Sequence, residues 1–520
     1  MNPRNRRAFL ADVGQGVIAA TIGYGAAFEM GLVRAVADDA PATRLSFGPR
    51  EALVALMQET PVDRLLPALV DQLRQGVPLK ELVAAGTLAN ARTFGGEDYI
   101  GFHAFMALAP AWHMASEMPE SSRALPVFKV LYRNTSRIQE KGGSSQEVLH
   151  PIPTDAALDT AQDAMRIRDA VRDKNLRLAE QLLTAAADRS PEEAYNDLLP
   201  AVADGVEVHR TVLAYRAWDL LDLVGRDHAV TLLRQSLHYC VENCKPQYAD
   251  RFAGIRDLLP KLLDQYQLVE RAPGTRVADD AWIESMSETL FTAGADRAAD
   301  AVAAALAEGM SAESVADAIA LAANQLVLRD PGRPARYAQP NKPVGSVHGD
   351  SIGVHASDSV NAWRSIARVS NRRNSVASLI LSAWQVASDR GFVGGELRTP
   401  QSRPENEQLE KIKTRDQAGL IAELNDAIRQ QDQARACAVV QIYGEQNFWA
   451  RPIQDLLLQY AISEDGALHA EKYYRTATEE FARSRPKFRW RQLVALARVT
   501  ASEYGQPAPG RDEARRLLNV

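Results

Sequence analysis

Hydrophobic positions along this chain recur at helical rather than strand spacing. In RLLPALVDQLRQGVPLKELVAAGTLANA (Arg64–Ala91) the apolar residues fall three and four apart, break at Gly76 and resume after Pro78. RAADAVAAALAEGMSAESVADAIALAANQ (Arg297–Gln325) repeats the plan, breaking at Gly309 and resuming after Ser311. Each second helix carries an Ala-Asn pair near its end. Alanine and leucine are plentiful and β-branched runs scarce, so the pattern predicts an all-α protein.

The likeness between the two windows continues in order. DYIGFHA (Asp98–Ala104) returns as DSIGVHA (Asp350–Ala356), displaced by an insertion around PGRPARYAQPNKPVG (Pro331–Gly345). LPVFKVLYR (Leu125–Arg133) lines up with SLILSAWQV (Ser378–Val386), and RDAVRDKN (Arg168–Asn175) with NDAIRQQD (Asn425–Asp432). DGVEVH (Asp204–His209) matches DGALH (Asp465–His469), one residue shorter, and a long helical stretch follows each. Correspondences in one order predict an internal duplication: two helical-bundle halves, residues 48–270 and 284–510, related by pseudo-twofold symmetry. The linker is ERAPGTRVADD (Glu270–Asp280), where proline, glycine and charge break the helical pattern. No solenoid period emerges, so a closed bundle is expected.

The first residues stand apart. Arg6 and Arg7 precede the apolar stretch VIAATIGYGAAF, and Ala35-Val36-Ala37 fits a small-residue cleavage site. Residues 1–37 therefore read as a twin-arginine (Tat) signal, with the Tat translocase as partner and the periplasm or cell envelope as destination. An uncleaved amphipathic tether is the alternative. The stretch falls short of the ~20 residues that span a bilayer. No other segment is apolar enough, so no membrane span is expected in the mature chain.

Composition adds little. The 520 residues are 46% hydrophobic and 24% charged with a net charge of −6, which gives no reason to expect nucleic acid. Three cysteines exclude a disulfide framework, and Cys240 and Cys244 sit four apart on a predicted helix, where a bridge would be strained.

The duplication sorts the nine histidines. His103 pairs with His355 and His209 with His469; His113, His150, His228, His238 and His348 have no counterpart. Asp98, Asp204, Asp350 and Asp465 precede the paired histidines by four or five residues. Four imidazoles near a pseudo-twofold axis suit a divalent transition metal (Fe, Cu or Zn), with the aspartates accepting the far ring N–H. Bundles build such sites from inward-facing side chains on separate helices. The competing readings are core histidines and aspartates that cap helices. No HExxH or CxxC pair is present, and Glu-x-x-His occurs once, at Glu147–His150, where a carboxylate-bridged di-iron site needs two, which removes the zinc-protease, zinc-finger and di-iron signatures. LHYCVENC (Leu237–Cys244) offers His238, Cys240 and Cys244 as a lesser soft-metal candidate. Gly101 and Gly353, each two residues before a histidine, suggest a close helix crossing that brings His103 and His355 together. WRSIARVSNRRN (Trp363–Asn374) reads as a solvated face or an ion-pair strip.

GFHAFMALAPAWHMA (Gly101–Ala115) and SIGVHASDSVNAW (Ser351–Trp363) resemble histidine-bearing segments of the questin oxidase-like family. The resemblance covers part of the chain. It implies a helical fold that oxidises a ring-containing organic substrate with oxygen, and it carries over only to His103 and His355. The Tat-type segment and the isolated His113 depart from it. Two function classes follow: a metal-dependent oxidoreductase (or hydrolase) acting on a small molecule, and a non-catalytic helical scaffold that binds a partner or ligand. The first needs the four histidines to converge within about 4–6 Å of a common point; the second leaves the pairs apart.

Overall fold

The computed structural model describes residues 44–152, 163–392 and 401–520. The Tat-type segment at residues 1–37 lies outside the described residues, as do parts of the polar stretches 142–155 and 394–408. The described chain is all-α, as the periodicity predicts, and Ser46–Val520 forms one compact unit.

The main helices of the earlier part are α1 (Glu51–Glu59), α2 (Val62–Arg74), α3 (Leu79–Phe94), α4 (Tyr99–Glu117), α5 (Ala124–Glu140), α6 (Asp163–Arg172), α7 (Leu176–Arg189), α8 (Pro191–Ala203), α9 (Val208–Asp219), α10 (Ala229–Glu242) and α11 (Pro246–Gln265). Those of the later part are α12 (Asp280–Thr292), α13 (Ala295–Ala307), α14 (Ala312–Arg329), α15 (Ile352–Val369), α16 (Arg372–Phe392), α17 (Gln417–Arg429), α18 (Gln433–Glu445), α19 (Arg451–Ser463), α20 (His469–Arg483), α21 (Trp490–Glu503) and α22 (Arg511–Leu518).

Packing follows the order of the helices. In the earlier part α1 lies on α3, α3 on α4, α4 on α5, α6 on α7, α7 on α10, and α9 on α10. In the later part α12 lies on α14, α14 on α15, α15 on α16, α17 on α18, α18 on α21, and α20 on α21. At the centre four helices close a ring: α4 packs on α9, α9 on α15, α15 on α20, and α20 on α4. Two of those contacts join the earlier part to the later.

Local chemistry explains the helix ends. Gly76 and Gly309 adopt φ of +88° and +87°, a left-handed conformation that stops α2 and α13 and that glycine enters without penalty. Asn175 and Asp432 cap α7 and α18, accepting hydrogen bonds from Leu178 N and Arg435 N. The linker after α11 is extended and pinned to the later part: Arg276 N donates to Gly309 O, and Ser311 N donates to Arg276 O.

The paired glycines mark close crossings, but not of the helices expected. A Cβ on Gly353 would stand 2.6 Å from the backbone N of Val327, so the crossing is α15 against α14. A Cβ on Gly101 would meet the Phe94 ring at 2.5 Å, where α4 turns back on α3. Neither glycine packs α4 directly against α15.

The arginines of Trp363–Asn374 are an ion-pair strip in part. Arg364 is buried and bonded to Glu313, Asp317 and Glu480, and Arg368 to Glu313. No described helix is long and apolar enough to cross a membrane.

Candidate functional site

Each helix of the central ring presents one of the paired histidines from its first turn or two: His103 on α4, His209 on α9, His355 on α15 and His469 on α20. Their rings form a closed circuit. Centroids are 4.9 Å apart for His103–His209, 5.6 Å for His209–His355, 5.6 Å for His355–His469 and 5.0 Å for His469–His103. The four rings thus border one common space, two from each part of the chain. Across it His355 Nε2 faces His469 Nε2 at 3.5 Å, and the buried Nε2 atoms of His103 and His209 have no hydrogen-bond partner.

The outer nitrogens set the tautomers. His103 Nδ1 is 2.7 Å from Tyr99 O, and His469 Nδ1 is 3.1 Å from Ala467 O. A carbonyl oxygen only accepts, so each Nδ1 carries the hydrogen and each Nε2 keeps a lone pair. His209 Nδ1 lies 3.4 Å from a Glu207 carboxylate oxygen, which favours the same tautomer. Glu207 also caps α9, accepting from His209 N and Arg210 N. Burial pushes its carboxyl up, but His209 and those two amides outweigh it and hold the group at about 2. Burial keeps three of the four imidazoles, those of His103, His355 and His469, uncharged. It drives His103 and His469 well below the ordinary histidine value, helped by the charge of Lys472. Burial, then the charges of His209 and Lys472, takes His355 down to about 3.

The four aspartates face other partners. Asp98 caps α4 by accepting from Gly101 N, and its oxygens take a bidentate pair with Arg137. Asp204 pairs with Arg172, Asp465 with Arg133 across the two parts, and Asp350 with Arg333 and Lys342. The insertion at Pro331–Gly345 supplies those two cations. The acceptors on the histidine rings are instead two main-chain carbonyls and Glu207. Glu207 sits two residues before His209 at the N-cap of α9, a spacing that helix periodicity does not single out.

The surroundings differ on the two sides of the ring. Tyr99 and Phe102 lie against His103 at 4.4 and 4.9 Å, Phe102 against His209 at 5.4 Å, and Tyr239 against Phe102 at 5.2 Å. On the α15 and α20 side, charged residues stand three positions beyond each histidine: Asp358 after His355 and Lys472 after His469. That spacing keeps each on its histidine's helix face. Asp358 accepts from the Thr476 hydroxyl at 2.7 Å, and burial raises its carboxyl. Burial lowers the Lys472 amine to about 8. Nearby, Lys129 and Glu471 form an ion pair of 2.7 Å with side chains 3% and 0% exposed. The site is deep without being sealed: His209 and Glu207 keep 16% and 21% of their side-chain surface accessible.

The remaining histidines do other work. His238 does not join the cysteines; its two nitrogens contact Glu97 at 2.9 Å and Glu180 at 2.7 Å. Cys240, Cys244 and Cys437 are free thiols. Among the described residues no group of three or more His, Cys, Asp or Glu side chains is already drawn together as a metal-ion site. No family model, no curated protein and no solved structure matches this chain.

Proposed function

We propose that the protein is a metal-dependent oxidoreductase whose metal, iron or copper, is held by the Nε2 atoms of His103, His209, His355 and His469. The observation that carries this reading is the direction of the lone pairs. Tyr99 O, Ala467 O and Glu207 occupy the outer nitrogens of three rings, so the inner nitrogens are left as unprotonated donors facing one space. Oxygen acceptors on the far ring nitrogen are the usual support of a metal-bound imidazole. The spacing agrees: two imidazole nitrogens on one tetrahedral ion, at bonds of about 2.0–2.1 Å, stand about 3.3–3.4 Å apart. His355 and His469 stand at 3.5 Å. Neutral imidazole suits iron, copper and zinc, and only the first two supply electron-transfer chemistry.

The substrate on this reading is a small molecule reaching the ring through the space beside His209 and Glu207. The resemblance to the questin oxidase-like family supports oxidation of a ring-containing compound. We infer too that the two parts arose by duplication. The matching order of helix contacts, the left-handed Gly76 and Gly309, and the equivalent caps Asn175 and Asp432 support it. Export through the Tat translocase belongs to the same reading, because a centre buried among four helices is most simply filled before the folded chain is moved.

Metal analysis of the purified protein, beside a His103→Ala/His355→Ala double variant, tests the proposal. Near-stoichiometric iron or copper in the wild type, lost in the variant, is the expected result, with oxygen consumption as the next assay. A non-catalytic scaffold is the second reading. It is favoured by the lack, among the described residues, of three donors already drawn to metal-binding spacing. An apoprotein that takes up no metal and melts unchanged in the double variant would establish it.

A further inference from the structure

We propose that Lys472 makes the four-histidine centre a binding site for a small monoanion, held between the bound metal and the Lys472 ammonium. This rests on the metal reading above and extends it to a second ligand. Lys472 follows His469 by three residues on α20, so its side chain shares the face that meets the ring. The residue is 4% exposed. Among the described residues its Nζ makes no hydrogen bond and no ion pair. A buried ammonium is normally met by a carboxylate or by carbonyls. The contrast with its neighbour is direct: Lys129 has Glu471 at 2.7 Å and Ala461 O at 2.7 Å.

Charge balance around the ring points the same way. Four neutral imidazoles leave both charges of a divalent ion uncancelled, and Lys472 adds a third. The carboxylates in range are committed elsewhere or drawn toward neutrality. Glu207 serves His209 and the α9 amides, Asp350 is matched by Arg333 and Lys342, Glu471 is paired with Lys129, and Asp358 accepts from Thr476 while burial favours its protonated form. A compact anion bound to the metal and reaching Lys472 would cancel the excess. A neutral ligand of the same size would not.

Azide titration of the Co(II)-loaded full-length protein, followed by visible absorption, tests this with Lys472→Met and Lys472→Gln beside the wild type. Metal content and thermal melting are measured on the same samples. Both variants remove a buried charge and are expected to melt no lower than wild type. The expected result is full cobalt in all three proteins with azide bound about tenfold or more tightly by the wild type, a charge-assisted contact having been lost in the variants. Full cobalt with equal azide affinity overturns the anion site and leaves the metal centre standing. No cobalt in the wild type overturns both.

Discussion

The two sides of the histidine ring are built from similarly ordered segments and are different materials. On the α4 and α9 side the positions one turn beyond the histidines are Met106 and Val212, and the flanking residues are Tyr99, Phe102 and Tyr239. On the α15 and α20 side the equivalent positions are Asp358 and Lys472, while Tyr99 and Phe102 are replaced by Ser351 and Val354. One side packs the imidazoles in aromatic surface; the other surrounds them with buried charge. The shared element is the histidine itself. Its helix-start position places it at the ring whatever lies behind it, so the two backings can differ.

The largest expected effect tests the charged side. Lys129→Met leaves Glu471 buried without its cation, and removing one partner of such a pair costs about 3–5 kcal/mol. Lys129→Met/Glu471→Leu should restore most of that loss. Denaturant unfolding of both variants checks it; equal losses would mean that the pair is not what holds α5 to α20.

The glycines of the two heptapeptides sharpen the comparison. Gly353→Ala drives a methyl into the Val327 backbone, whereas Gly101→Ala meets the Phe94 side chain. We expect about 2–3 kcal/mol of destabilisation at Gly353 and about 1–2 kcal/mol at Gly101, because the Phe94 side chain can give by rotating about its Cα–Cβ bond and a helix backbone cannot. Equal melting temperatures would show that the α14–α15 crossing is looser than the close contact implies.

The pH response separates the ring from its surroundings. In metal-free protein His355 is held at about 3 against an ordinary 6.5, so the native state binds fewer protons than the unfolded chain between those values. That contribution is full above about pH 6.5 and is lost as pH falls, amounting to about 2 kcal/mol by pH 5. His355→Gln should flatten the acid limb of the stability curve, measured by urea unfolding from pH 7 to 5. His238 should behave oppositely and more weakly. Burial lowers it, but its bonds to Glu180 and Glu97 outweigh that and raise it overall. Its contribution is present below about 6.5 and lost as pH rises through the raised value. His238→Gln should remove a small decline on the alkaline side. A decline of the same size in the variant would mean that His238 is neutral in the fold.

How much of this could be read along the chain depended on the range of the cause. Helices, their glycine stops and the choice of His103, His209, His355 and His469 among nine histidines are local or periodic signals, and they were legible. The expectation of a Tat-type segment at residues 1–37 rests on a local signal too, and it lies outside the described residues. The partners of the aspartates were not legible. Asp98, Asp204, Asp350 and Asp465 are close to histidines in sequence, yet Arg137, Arg172, Arg333 with Lys342, and Arg133 reach them first. A guanidinium offers a carboxylate two charged hydrogen bonds where a neutral imidazole offers one, and long side chains from other helices bring it there. Lys472 carries no signal along the chain, because a lysine on a helix is ordinarily solvated.

The sequence by itself determined an all-helical chain with a recurring histidine at the start of four helices, because helix periodicity and capping are short-range and each stretch carries its own instructions. Only the tertiary structure decided that these four helices close into one ring, that Nε2 rather than Nδ1 faces inward, and that Lys472 is buried on one side of it. Those outcomes depend on which helix faces which and on what is out of reach of water. Both are set by side chains hundreds of residues apart.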